Sequence, residues 1–489
     1  MPPTSSSIRF QSERYAEALA SFTSAHPDYS ATAHIDTCRA RDYGRLDVQG
    51  HTYLDYTGGG LYGESQIRAH HDLLATGVFG NPHSHNPTSL AATELVEEAR
   101  AAVLDFFHAS PDDYDVVFTL NASGALKLIG EAFPFAADGT YLLSFDNHNS
   151  VNGVREYARR GGAQVIYVPV RDPDLRLDER LIRHHLQAAA RGHARLFAYP
   201  AQSNFSGVQH PLEWVALARA EGWQVLLDAA AFAPTNRLDL AEVQPDFVAL
   251  SFYKMFGYPT GAGALLARRE ALASLRRPWF SGGTITLASV QGAGWHHLAP
   301  GHAGFEDGTV DYLGLPAVTI GLRHLADVSL DAVHTRVAAL AAWLLGEMSM
   351  LRHSNGAPMV RLFGPKTMDR RGATIAFYLL DPSSAVYDVQ RVEELAGLER
   401  ISIRTGCFCN PGDGEVAHGI SRDEMAECFA EPEIPVTLLD CQRLIQDATG
   451  KVPNTIRISL GLVSNFADVW RFMAFAEGFR DRDAAGITG

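Results

Sequence analysis

A chain of 489 residues is longer than one hydrophobic core usually fills, so two or more packed units are expected. Hydrophobic residues make up 46% and charged residues 20%, a globular profile that excludes a disordered chain. The net charge of -15, with no long basic run, lacks the footprint of a nucleic-acid or anionic-membrane binder and points to a small metabolite.

The opening stretch MPPTSSSIRFQSERYAEALASF has neither a basic start followed by a long apolar run nor a spanning segment. The five cysteines, odd in number and irregularly spaced, do not make a disulfide framework. Both features suit a reducing cytoplasm, with no membrane and no nucleic acid as partner.

Residues 1–45 read as an N-terminal arm. In HTYLDYTGGGLYG a short strand runs into consecutive glycines that let the backbone turn tightly. The apolar spacing is helical over 89–107. Short β-rich runs follow: DVVFTL, TYLLSF, AQVIYVPV, ARLFAYP, QVLLDAAA and FVALSFY, most of them separated by helical patterns such as LEWVALARAEGW. This alternation predicts βαβ units and a largely parallel sheet in a large domain over 46–325. Beyond residue 322 the rhythm changes. HTRVAALAAWLLGEMSML predicts one long amphipathic helix, and strand-like ATIAFYLL and ERISIRTGCFC follow in a smaller α+β domain over 326–489. The Asp/Glu-rich, Pro-containing segment 412–451 reads as a mobile insertion before the last strand, IRISL.

Four lysines occur in the chain, Lys127, Lys254, Lys366 and Lys451, and only Lys254 directly follows an apolar strand, in ALSFYKMFGYPTGAG. At the end of a buried strand an ammonium is desolvated, its pKa falls and the amine becomes a nucleophile toward an aldehyde. Asp228 ends another such strand, in QVLLDAAAFAP, where an unpaired carboxylate would be costly. It either caps the next helix or pairs with a cation such as a protonated pyridine nitrogen. Cys407 and Cys409 form a CxC pair on a strand-to-loop exit; no second Cys/His pair at finger-like spacing accompanies it, which argues against zinc.

DAAAFAP followed by SFYKMFGYPTGAGALLARR resembles the class V aminotransferase and cysteine desulfurase family, and within it the desulfurase domain of the molybdenum cofactor sulfurases. The likeness continues, in family order, through YLDYTGGG, FGNPHSHN, NASGALKLIGEAF, YPAQSNFSG, FSGGT, FEDGT, RTGCFCNPG and IRISLG. It implies a fold-type-I, aspartate aminotransferase-like large domain with a mostly parallel seven-stranded sheet, and pyridoxal 5'-phosphate held as a Schiff base on Lys254.

The same resemblance assigns a phosphate cup to Asn121, Ala122 and Ser123, where backbone N–H groups at a helix start suit a dianion. It assigns a further phosphate ligand to Ser251 and another, delivered from the neighbouring subunit of a homodimer, to Thr284. His148 in DNHNSVNG corresponds to the aromatic residue stacked on the cofactor ring, and Asn204 in QSNFSG to the amide on its phenolic oxygen, with Gln202 nearby. Arg457 corresponds to the substrate-carboxylate anchor, with Arg404 close by, and Cys409 to the persulfide-forming cysteine. The chain departs from the desulfurase pattern at Asn121, where glycine is usual, at Ala231, where a glutamine stands, and at Tyr253, where those desulfurases carry histidine.

The implied reaction takes L-cysteine to alanine and a Cys409 persulfide, whose sulfur passes to an acceptor protein or metabolite. A C–S lyase or aminotransferase of a specialised pathway is the second reading. A scaffold or sulfur carrier that keeps the fold without turnover is the third.

Overall fold

The computed structural model describes residues 9–188, 194–292, 294–430 and 437–484. Its centre is a seven-stranded sheet of β1 (Tyr114–Thr119), β2 (Thr140–Ser144), β3 (Gln164–Val168), β4 (Arg195–Pro200), β5 (Gln224–Asp228), β6 (Phe247–Ser251) and β7 (Gly263–Arg268). The spatial order is β1-β7-β6-β5-β4-β2-β3. Strands β3, β2, β4, β5 and β6 pair in parallel, and β7 is antiparallel to both of its neighbours, so it alone runs against the rest.

The central strands are near-continuous apolar runs because helices cover both faces. Alternation along them divides the interior. Val116, Val225, Leu227, Val248 and Leu250 join one core. Val117, Leu226, Ala249 and Leu265 join the other. The predicted helix near residue 89 is Pro87–Phe106, with proline at its start and the Asn86 side chain accepting the Ser89 N–H.

A four-stranded antiparallel sheet follows, in the order β8 (Val360–Phe363), β9 (Thr374–Leu379), β11 (Thr455–Ser459), β10 (Arg404–Gly406). The long helix expected after residue 322 is Leu330–Met350, and Phe466–Glu477 packs against it. The N-terminal residues are built into this half. Phe22 stacks on Phe466 at 4.6 Å, Phe10 meets Trp470 at 5.1 Å, and fully buried Arg336 donates to the Thr32 and Ser464 carbonyls. Thr52–Tyr53 pairs in parallel with Ile401–Ser402, so the glycine turn after it starts from the C-terminal half.

The segment 412–451 contains helices, Pro411–Ala417, Arg422–Glu427 and Leu438–Thr449, and 431–436 lie outside the described residues. One expectation changes. Cys428 and Cys441 form a disulfide across the latter two helices. Spacing alone did not reveal the pair, because the helical pairing that brings these thiols together is a tertiary contact. Among the described residues no single helix is long and apolar enough to cross a membrane.

Candidate active site

The parallel strands end on one edge of the sheet, the edge where open α/β folds bind ligands. A cavity of about 220 Å³ lies there, and every loop leaving β1, β2, β4, β5 and β6 contributes to its wall. Lys254 projects from the short helix Phe252–Phe256 that follows β6, and it lines this cavity with Asp228, His148, Asn204 and Gln202. Burial holds the Lys254 amine below its ordinary range, opposed by the negative charge of Asp228. Burial thus favours the neutral, nucleophilic form of the amine. The helix ends at Gly257, which has φ 81° and no room for a Cβ, since that atom would lie 2.3 Å from the Leu61 carbonyl carbon.

Asp228 is 8% exposed, and one carboxylate oxygen accepts the Ala230 N–H at 3.0 Å. Its other oxygen has no protein partner among the described residues; no helix follows Asp228 before β6, so the helix-cap reading does not hold, and the carboxylate closes a turn and keeps one acceptor open. His148 caps the helix Asn149–Asn152 through Nδ1, which accepts the Ser150 N–H at 3.1 Å. That bond puts the ring proton on Nε2. Burial keeps the imidazole below its ordinary pKa and therefore uncharged, a flat face rather than a second cation beside Lys254.

The helix Ala122–Ala132 begins at the cavity. The Ala122 N–H donates to Ser251 Oγ at 2.9 Å and the Gly124 N–H to Asn121 Oδ1 at 3.0 Å. Ser123 Oγ lies 2.6 Å from Ser150 Oγ. A helix N-terminus with two hydroxyls beside it fits a phosphate, an open Asp228 oxygen fits a pyridinium, and a desolvated lysine fits an aldehyde. The donor set therefore suits pyridoxal phosphate. Thr284 is absent from this wall: its hydroxyl is tied to the Ser281 backbone N–H and carbonyl, both at 2.9 Å.

Cys409 lies on the far rim, in the loop after β10. Phe408 and Cys409 both have left-handed φ, 53° and 55°, so the chain doubles back and presents an exposed thiol. The loop is pinned to the cavity wall. Asn204 Nδ2 donates to the Phe408 carbonyl at 2.6 Å, and the Asn149 N–H donates to the Cys409 carbonyl at 2.7 Å. Asn410 Nδ2 donates to the Asp146 carbonyl at 2.8 Å and to Asn204 Oδ1 at 3.1 Å. Asn204 thus spends one of its two N–H donors on the cysteine loop.

Arg457 on β11 is buried beneath the Phe408 ring, 4.5 Å from its centroid. Burial lowers this guanidinium to about 10, and it still carries its charge at neutral pH. Arg404 is half exposed, and both arginines meet Asp55.

Residues 52–472 match the aminotransferase class-V family. The chain belongs to that family. It is 34% identical to the molybdenum cofactor sulfurase of Solanum lycopersicum over 96% of its own length and 60% of that protein's. The Bos taurus molybdenum cofactor sulfurase is 37% identical, over 89% of this chain and 51% of that one. The chain therefore spans somewhat more than half the length of the relatives it matches. Among solved structures, apo cysteine desulfurase from Thermococcus onnurineus superposes with a TM-score of 0.72 at 22% identity, covering 91% of this chain and 97% of the other. The S-sulfonic acid form of cysteine desulfurase CsdA from Escherichia coli gives 0.68 at 18% identity, covering 90% and 97%. These likenesses establish the fold-type-I architecture.

The fold thus brings Lys254, Asp228, His148, Asn121, Ala122, Ser123, Asn204 and Ser251 to one cavity. Arg457 and Cys409 are not among its lining residues but act electrostatically on Lys254. Sequence reasoning missed Asp55, Asn410 and Ser150. All three lie inside motifs quoted above, Asp55 three residues before the first glycine of YLDYTGGG, but their roles show only through partners distant in the chain.

Proposed function

We propose that this chain is a pyridoxal-phosphate-dependent cysteine desulfurase that acts on L-cysteine and releases alanine. The observation that carries the reading is the exposed Cys409 thiol on a loop pinned to the rim of the Lys254 cavity. When bound, pyridoxal phosphate supplies an electron sink for the α-carbon of the amino acid. The chain's residues do the rest. Asp228 would hold the pyridine end, the start of the helix Ala122–Ala132 with Ser251 would hold the phosphate, and the His148 face would cover the ring. Arg457 orients the substrate carboxylate, and the Lys254 amine takes the α-proton and gives a proton back to the α-carbon once the sulfur has left, the extra β-carbon proton balancing the one lost by the Cys409 thiol. Cys409 Sγ attacks the substrate sulfur; the S–S bond forms as the Cβ–S bond breaks, and the β-carbon gains a proton to give alanine.

The sulfur then goes to an acceptor, a protein or a metabolite. We place the working unit as a homodimer, in which Thr284 of one subunit reaches the phosphate of the other. In support, the hairpin Ile285–Ala288 with His296–Leu298, which follows Thr284, is exposed along most of its length, and Leu287, Val290 and Trp295 are exposed on it.

The test is incubation with L-cysteine. Alanine should accumulate and Cys409 should gain one sulfur atom by mass, neither occurring with Cys409→Ser. Alanine formation that survives Cys409→Ser would overturn the assignment, and visible absorbance that survives Lys254→Ala would overturn the cofactor site. The second reading, a C–S lyase, rests on Ala231, which lines the cavity where desulfurases carry glutamine. It predicts free sulfide with no modified cysteine.

A further inference from the structure

Arg404 and Arg457 stand directly opposite each other in the β10–β11 register. Opposed residues of an antiparallel pair share a face at about 5 Å, where like charges repel. The carboxylate of Asp55 lies between them. Its Oδ1 accepts from Arg457 Nη2 at 3.0 Å, and its Oδ2 accepts from Arg404 Nε at 2.8 Å and Nη2 at 2.5 Å. Asp55 is nearly buried, and its backbone is fixed against β11 by the Ser459 N–H, which donates to Leu54 O at 2.7 Å.

We propose that Asp55 positions Arg457 for the substrate carboxylate and, by neutralising one of two facing arginines, restricts the site to amino acids with an uncharged side chain. The inference rests on the desulfurase reading for its substrate.

Three contacts fix the Arg457 guanidinium: Asp55 on Nη2, the Asn204 carbonyl on Nη1 at 2.8 Å, and the Phe408 ring on its face. Its Nε–H is buried and has no partner among the described residues. A buried, charged donor without an acceptor is expensive, and an incoming carboxylate relieves it. Two guanidiniums and one carboxylate leave one net positive charge, enough for one substrate carboxylate. A second anionic group on the ligand would enter a partly buried site with no cation left to receive it.

The turn that carries Asp55 also reaches Lys254. The Gly58 and Gly59 N–H groups donate to the Asp55 carbonyl, and the Gly60 N–H donates to the Tyr253 carbonyl at 2.9 Å. A Cβ on Gly58 would lie 2.6 Å from Asp55 Oδ2, so the first glycine of the turn is required by the carboxylate it encloses.

The experiment compares Asp55→Asn with the parent holoenzyme on L-cysteine and L-cysteine sulfinate. KM for L-cysteine should rise about tenfold with kcat within about twofold, and the sulfinate-to-cysteine ratio of kcat/KM should rise about tenfold, the change expected for one lost charge pairing of modest strength. Asp55→Glu should restore part of both. Binding is read separately by titrating L-alanine against the visible absorbance of the loaded protein, where Kd should rise in step with KM. Unchanged KM, Kd and ratio in folded Asp55→Asn would overturn the proposal. Should that variant not fold, Arg404→Gln removes a positive charge from the more exposed side, and the sulfinate-to-cysteine ratio should then fall; a ratio that does not move is equally fatal. If the parent makes no alanine from L-cysteine while the L-alanine Kd still rises in Asp55→Asn, the desulfurase reading fails and the role of Asp55 stands.

Discussion

Gly263, the first residue of β7, offers the sharpest test of how the cofactor cradle is built. A Cβ there would lie 2.5 Å from Asn121 Cα, 2.6 Å from Asn121 C and 2.6 Å from the Leu250 carbonyl oxygen. All three are backbone atoms, one group in the phosphate cup and the other in the strand that leads to Ser251 and Lys254. Ordinary contact starts near 3.4 Å, so Gly263→Ala must push cup and strand apart by roughly 0.9 Å. Overpacking of this kind costs about 1–3 kcal/mol. Because the Ala122 N–H to Ser251 Oγ bond spans the same gap, the strain falls on the phosphate site itself. Pyridoxal phosphate affinity, followed by visible absorbance on titrating the apo protein, should weaken about tenfold, equivalent to about 1.4 kcal/mol. Gly397→Ala is the control: it sits inside the helix Val389–Leu398 with nothing within 4 Å of its Cβ, and should be neutral or slightly stabilising. A Gly263→Ala protein that binds cofactor within twofold of the parent would refute the argument that this glycine sets the spacing of the cup.

Asn410→Ala removes the donor to the Asp146 carbonyl and the partner of Asn204 Oδ1, so the Cys409 loop should loosen; Cys409 should alkylate faster with iodoacetamide and alanine formation should drop, with cofactor absorbance unchanged. Burial pulls His418 down to about 3, so its contribution is whole above the unfolded value near 6.5 and is lost as pH falls toward 3. Between pH 7.5 and 5 that loss amounts to about 2 kcal/mol, and urea midpoints of His418→Gln should fall less over this interval than those of the parent. Cys428→Ser should free the pair Arg422–Glu427 and Leu438–Thr449 to open, seen as faster limited proteolysis there, at a local cost of about 3 kcal/mol for a loop of this length.

The large sheet was legible because its strands are buried on both faces and read as unbroken apolar runs, and because Lys254 and Asp228 stand at the ends of two of them. β7 was not among the expected runs, since GALLAR is short and begins in the glycine-rich loop behind Lys254. The small sheet was only half legible. ERISIRTGCFC reads as one strand, yet it divides between a pair with Thr52–Tyr53 and an edge beside β11, and no local pattern encodes such a change of partner. Asp55 escaped for the same reason: its role exists only because residues 349 and 402 positions later arrive on either side of it.

Under the proposed desulfurase activity, these long-range ties bear on how sulfur would leave the site. Phe408 and Cys409 hold left-handed backbone that costs roughly 1–2 kcal/mol per residue. The Asn204, Asn149 and Asn410 hydrogen bonds offset that strain and anchor the loop to the wall that holds Lys254. The Cys409 thiol is exposed while the backbone on both sides of it is fixed, so the side chain has only its own rotation to travel between substrate and acceptor. On that proposal an acceptor would have to approach Cys409 itself, and its recognition would belong to the surface around this residue rather than to a swinging loop.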